Sequence, residues 1–260
     1  MDHTEVLENR LQAIAKVLTR RPDALCLLGL GSVGRERARL DRYSDLDFFV
    51  IVAPGAKAGY LSSLDWLTQL GTVVFSFANT DDGCKLLYED GVFCEFAVFE
   101  PHELAGIPFC PGRIIWRRVG FDETLVIPKM DRSPQHKHAP QWLLGEILSN
   151  LLVGLSRECR GERLAAFKMI QVYALDHLLT LIEISGHAPA ALRDPFNNDR
   201  RFEQRFPDCP ALLAQFAPGY VGNVAAAEAM LDYLAPRYEV SAGCVARIRA
   251  LCREAHAKIG

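Results

Sequence analysis

GSVGRERARLDRYSDLDFFVIV, residues 31–52, decides how the chain is read: a Gly-Ser step is followed, twelve residues on, by two aspartates one residue apart that open an apolar run. Side chains alternate between the faces of a strand, so Asp45 and Asp47 are expected to leave the same face of one strand, at its start. Leu46 between them is expected to point into the core, with Phe48 and Val50 turned elsewhere. Neighbouring carboxylates repel unless a cation sits between them. Oxygen-only ligands at this spacing suit Mg²⁺, and Mg²⁺ in turn suits the phosphates of a nucleoside triphosphate. Gly31 and Ser32 supply what such a ligand needs, a close approach of backbone N–H groups and a hydroxyl. Taken singly, Gly-Ser is an ordinary turn and Asp-x-Asp a solvated or capping pair. The weight lies in their fixed order, with the strand-like ALCLLGL at 24–30 before the turn and a second apolar strand after the aspartates.

Composition narrows the classes. The chain has 260 residues, 50% of them hydrophobic, which is enough for one large or two modest domains. A net charge of −3 and the lack of a Lys/Arg tail argue against a nucleic-acid partner. The eight cysteines include no CxxC pair, and several sit in apolar runs, so they are expected to be reduced thiols of a cytoplasmic protein. No signal peptide is read at the charged start MDHTEVLENR and no membrane-spanning run further on, so no membrane partner is expected. His136 and His138 lack Cys or acidic partners at ligand spacing and read as linker residues rather than a zinc site.

Along the chain, Leu7, Leu11, Ile14 and Leu18 recur at helical spacing. Strands are expected near 24–30, 46–53, 72–78, 83–89 and 92–99, a helix near 57–70, and a further strand or two within 113–127. Pro128, Pro134 and Pro140 mark a linker, after which the pattern turns helical: 140–159, 162–185, shorter pieces near 199–205 and 210–217, then 222–235 and 241–258. The expected fold is α+β: an N-terminal mixed sheet with flanking helices over 1–130, followed by a C-terminal helical bundle over 131–260.

The run hydrophobic-Gly-Ser, about a dozen residues, then Asp-hydrophobic-Asp-hydrophobic resembles the signature of the DNA polymerase β-like nucleotidyltransferase superfamily, which uses a third carboxylate from a later strand. Glu95, in the alternating GVFCEFAVFEP, is the residue available for that role. Phe93, Glu95 and Ala97 share one face, so the glutamate can lie beside the aspartate strand. The plainer reading of Glu95 is an edge-strand charge that discourages aggregation.

With YSDLDFFVIV at 43–52, FCEFAVFEP at 93–101 and the helical stretch at 148–183, the chain is similar to the lincosamide nucleotidyltransferases. That likeness implies transfer of a nucleotidyl group, usually AMP, from a Mg²⁺-bound triphosphate to a hydroxyl of a small antibiotic of lincosamide or aminoglycoside type. It implies Asp45, Asp47 and Glu95 as carboxylate ligands of two Mg²⁺ ions, with Ser32 at the phosphates. The loop between turn and aspartates is arginine-rich, and Arg35, Arg37, Arg39 and Arg42 are candidates to clamp the β- and γ-phosphates as bidentate donors.

Glu146, Asn150 and Arg157 form one stripe on the helix 140–159, opposite a leucine face. The acceptor is expected against this helix, between the two halves, with Glu146 directed at it. Either Glu95, through the metal, or Glu146 would take the hydroxyl proton; the residues alone do not choose between them. The alternative of a different class is a regulatory or antitoxin-type protein acting through a macromolecular partner. Such degenerate members commonly lose a carboxylate, and here all three are present. The nucleotide base and the oligomeric state, a homodimer included, stay open.

Overall fold

The computed structural model describes residues 2–129, 139–186, 193–194 and 197–259. The chain divides into two compact units, residues 1–132 and 133–260. The expected boundary at 130 and the linker with His136 and His138 lie outside the described residues.

In the first unit the chain runs α1 (His3–Thr19), β1 (Ala24–Gly29), β2 (Leu46–Val52), α2 (Lys57–Ser62), α3 (Asp65–Thr68), β3 (Val73–Ala78), β4 (Gly83–Tyr88), β5 (Phe93–Phe99) and β6 (Arg113–Arg117). Leu7, Leu11, Ile14 and Leu18 of α1 are all fully buried, as their spacing requires. The single helix expected near 57–70 is two short ones, because Ser63 between them adopts an extended conformation. Of the two strands considered for 113–127, one forms; Glu123–Val126 is a 3₁₀ turn capped by the Asp122 carboxylate, which accepts from the Thr124 amide. β-rich composition there gives way to a local capping bond.

The six strands form one mixed sheet in the order β3-β4-β5-β2-β1-β6. β2 and β5 are its parallel pair and the other neighbours are antiparallel. A parallel pair needs a long crossover, which α2, α3, β3 and β4 provide.

Burial along β2 explains where polar chemistry can sit. Leu46, Phe48 and Val50 are all buried on one face, against the expectation that Phe48 and Val50 would turn away, because a period of two places every second residue together. On that face Phe48 stacks on Phe96 at 5.3 Å and Trp66 meets Phe96 edge-on at 5.3 Å. The opposite face starts half-exposed at Asp47 and Phe49 and becomes fully buried at Ile51, where Cys26, Leu28, Phe99 and Phe109 cover it. The strand therefore begins at an open sheet face and ends in a doubly covered one, and the aspartate falls at the open end.

The second unit is helical: α4 (Pro140–Cys159), α5 (Arg163–Phe167), which continues through a π-helical stretch at Lys168–Ala174 into α6 (Leu175–Ser185), then α7 (Phe202–Arg205), α8 (Pro210–Phe216), α9 (Asn223–Leu234) and α10 (Ala242–Ile259). It has its own core, built from Leu143, Ile147, Leu151 and Leu155 of α4 with Ile170, Leu178, Met230, Leu234 and Ile248. Among the described residues, one helix, Arg163–Ser185, is long and apolar enough to cross a membrane. Its Ile170, Ala174, Leu178 and Leu181 are instead fully buried in this core. The π-helical stretch carries Gln171 into a buried polar network. Gln171 donates to Asn223 Oδ1 at 2.7 Å and to the Gly219 carbonyl at 2.8 Å, and Asn223 donates to Glu158 Oε2 at 2.8 Å.

Candidate active site

At the open end of the sheet one row of paired residues crosses four strands: Phe77 on β3, Lys85 on β4, Glu95 on β5 and Asp47 on β2. Directly paired residues share a face, so these side chains stand on the same side of the sheet. Asp47 and Glu95 occupy adjacent strands about 4.8 Å apart, two like charges whose repulsion a shared cation relieves. In their present arrangement part of that relief comes from Lys85, whose Nζ lies 3.1 Å from Glu95 Oε2. Asn79 Nδ2 donates to the other oxygen, Glu95 Oε1, at 3.3 Å.

Asp45 stands one residue ahead of β2 and is half-buried, so it flanks the row rather than forming part of the strand. Beneath them the Cys94 thiol is pushed up to about 12, chiefly by burial, with the nearby carboxylates of Asp45 and Asp47 adding to the effect.

The Gly-Ser turn is stapled to the aspartate strand. Leu30 N donates to the Asp47 carbonyl at 2.7 Å, and the turn closes through Gly34 N to the Leu30 carbonyl at 2.8 Å. Gly31 sits at φ +51°, the left-handed region that favours glycine, and a Cβ there would stand 3.2 Å from Asp47 Oδ2 and 3.6 Å from Arg39 Nη2. Glycine at 31 is thus what lets the turn backbone approach the Asp47 carboxylate. Ser32, buried, belongs to the short 3₁₀ turn Gly31–Val33, and a turn of this kind leaves its leading N–H groups without partners inside it. From β6, Arg113 grips the turn by donating through Nε and Nη2 to the Val33 carbonyl at 3.2 and 2.9 Å.

The four arginines of the loop are placed differently. Arg35 donates to the Gly112 carbonyl at 3.0 Å, Arg37 pairs with Glu8, and Arg42 lies over the ring of exposed Tyr43, 4.6 Å from its centroid. Arg39, paired with Glu36, is the one beside Gly31 and the Asp47 carboxylate. Glu146, in the second unit, is a half-buried residue of α4 whose carbonyl accepts from Asn150 Nδ2 at 2.8 Å. Arg157 pairs with Glu162 at 2.7 Å.

Lys85, Asn79 and Arg113 were not legible as site residues, because their place depends on strand pairing. The one available signal was parity: Lys85 is a charge within the apolar GCKLLY, much as Glu95 is within FCEFAVF.

Among the described residues no group of three or more His, Cys, Asp and Glu closes around a common point. The donors present still fit Mg²⁺. It takes one or two protein carboxylates and completes its shell with water and phosphate, and Asp47 and Glu95 offer that pair of hard oxygen donors beside a turn whose backbone can approach a phosphate. None of the eight cysteines, all within the described residues, forms a disulfide.

No protein-family model matches the chain, and no curated protein matches it. Among solved structures, an aminoglycoside 6-adenyltransferase from Bacillus subtilis is similar at 11% identity with a TM-score of 0.33, over 96% of this chain and 90% of that one. Identity and superposition at that level do not carry an activity from one chain to another.

Proposed function

We propose that the protein transfers a nucleoside monophosphate, AMP in the first instance, from a nucleoside triphosphate to a hydroxyl of a small molecule, with release of pyrophosphate. The observation that carries this reading is the pairing of Asp47 with Glu95 on adjacent parallel strands, beside a turn whose Gly31, at φ +51°, would bring a Cβ to 3.2 Å from Asp47 Oδ2. Asp47 and Glu95, with Asp45 next to them, would hold Mg²⁺. When bound, Mg²⁺ offsets the charge that develops on the phosphates in the transition state.

The chain's own residues do the rest. The amides and hydroxyl of the Gly31–Ser32 turn receive phosphate oxygens, and Arg113 fixes that turn in place. Arg39 is the cation within reach of the same region, in preference to Arg35 and Arg42, which are held by Gly112 and Tyr43. As the acceptor oxygen bonds to the α-phosphorus, the bond to the β-phosphate oxygen breaks and pyrophosphate leaves. Glu95 takes the acceptor's proton, since of the two bases considered it is the one in the carboxylate row. The acceptor is a hydroxylated antibiotic of the lincosamide or aminoglycoside kind, and the setting is cytoplasmic.

The reading is tested by Mg²⁺-dependent pyrophosphate release from ATP with hydroxylated antibiotics as acceptors, in the wild type and in Asp47→Asn and Glu95→Gln. Release that needs both carboxylates supports it; release that survives both substitutions overturns it.

A further inference from the structure

The sheet face that carries Asp47 and Glu95 continues beyond the carboxylates. Next to the charged row, Phe75 pairs with Leu87, and Leu87 with Phe93, so these three stand on the same face as Phe77, Lys85 and Glu95. Phe75 and Phe77 are 50% and 47% exposed, and their ring centroids are 5.5 Å apart. Leu87 and Phe93 are half-buried. Single exposed apolar residues are ordinary, but two phenylalanines in contact, continuous with two further apolar side chains and bordering a carboxylate pair, form a surface that suits a ligand.

We propose that this aromatic lobe is the acceptor subsite, and that it takes a hydroxyl-bearing molecule with an apolar or sugar-ring face and no more than one positive charge. The inference rests on the nucleotidyl-transfer reading above and adds the acceptor's place and chemical class. The order of groups across the sheet supports it. The phosphate-binding turn adjoins Asp47 from the β1 side, through Leu30, while Glu95, Lys85 and Phe77 follow in turn on the other side. A molecule stacked on Phe77 therefore meets Glu95 from the side away from the phosphates, as in-line attack on the α-phosphorus requires.

Size and charge agree with this placement. Glu95 and Phe77 are two strand spacings apart, roughly 10 Å, the span of two linked rings. Lys85 stands between them, with its Nζ 3.1 Å from Glu95 Oε2. An ammonium there repels a polycationic acceptor and donates to hydroxyls of a neutral one. Aromatic faces hold sugar and apolar rings by the same contact area that they offer one another.

The test is calorimetric binding of lincomycin, with one amine, and kanamycin, a polycation, together with the KM for ATP in the transfer assay. The subsite predicts that wild type binds lincomycin in preference to kanamycin. Phe77→Ala should weaken lincomycin by about tenfold, as expected for a lost stacking contact, and Phe77→Leu should weaken it less. The KM for ATP should stay within about twofold, and Lys85→Glu should shift preference toward kanamycin. A Phe77→Ala protein that loses ATP instead makes the lobe a nucleobase platform and overturns the proposal. One that changes only the sedimentation coefficient makes it a contact between copies and overturns the proposal equally. So does failure of the wild type to bind lincomycin, or unaltered binding in Phe77→Ala. If Asp47→Asn retains transfer, the nucleotidyl-transfer reading itself fails; if Asp47→Asn is inactive while Phe77→Ala binds lincomycin normally, only the subsite fails.

Discussion

Asp47→Asn replaces a carboxylate by an amide of nearly the same volume on a half-exposed strand position, so its effects on folding and on chemistry separate. Transfer should fall by about 100-fold or more, because the substitution removes a proposed ligand of the cation that would offset phosphate charge. Chemical denaturation should change by no more than about 0.5 kcal/mol, as for other surface substitutions. Gly31→Ala should behave in the opposite way. The left-handed backbone at φ +51° costs a non-glycine residue about 1–2 kcal/mol, visible as a lower urea midpoint, and the added methyl crowds the Asp47 carboxylate from 3.2 Å. The triphosphate KM should rise as well. A Gly31→Ala protein with wild-type stability and KM would mean that the turn relaxes away from Asp47. At this scale the sequence was informative about residue type: Gly31, Asp47 and Glu95 were legible because each breaks a local pattern, a turn before a strand or a charge among apolar neighbours. Arg39 could not be separated from Arg35, Arg37 and Arg42, since which of four arginines reaches the site depends on how the 34–45 loop closes.

Among the elements, the long amphipathic helices and the five apolar strands were legible from periodicity alone, and α4 begins and ends at the residues that its pattern indicates. Elements decided by a single local bond were not: the break at Ser63 that divides 57–70, and the Asp122 cap that converts Glu123–Val126 from strand to 3₁₀ turn. Nor does any periodicity announce the π-helical stretch that turns Gln171 inward. The network it completes makes a prediction of its own. Asn223→Ala leaves the Glu158 carboxylate and the Gln171 amide short of a partner in a buried setting, and should cost about 1–3 kcal/mol in urea denaturation. A change below about 0.5 kcal/mol would show that water replaces the Asn223 amide.

For the whole molecule, the consequential fact is that each unit buries apolar side chains of its own: among the described residues, a cluster on each face of the sheet in the first unit and one cluster in the helical unit. Residues 1–132 contain the complete sheet, the core centred on Phe48, Trp66 and Phe96, and every group of the carboxylate row. Expressed alone, 1–132 should fold cooperatively and bind Mn²⁺, followed by the electron paramagnetic resonance of the free ion, with Asp47→Asn abolishing that binding. A fragment that stays unfolded would show that the first unit's clusters are insufficient by themselves. The change from strand-like alternation to helical periodicity was legible in the sequence around the prolines near 130. The cross-strand row was not, because register is a property of the assembled sheet.

The central claim, nucleotidyl rather than simple phosphoryl transfer, is tested most directly by following the label from ATP carrying ³²P in the α or in the γ position, with Mg²⁺ and lincomycin present. The account predicts that α-label moves to the acceptor while γ-label leaves in pyrophosphate, and that Asp47→Asn does neither. Transfer of γ-label to the acceptor, or no Mg²⁺-dependent movement of either label, would contradict it.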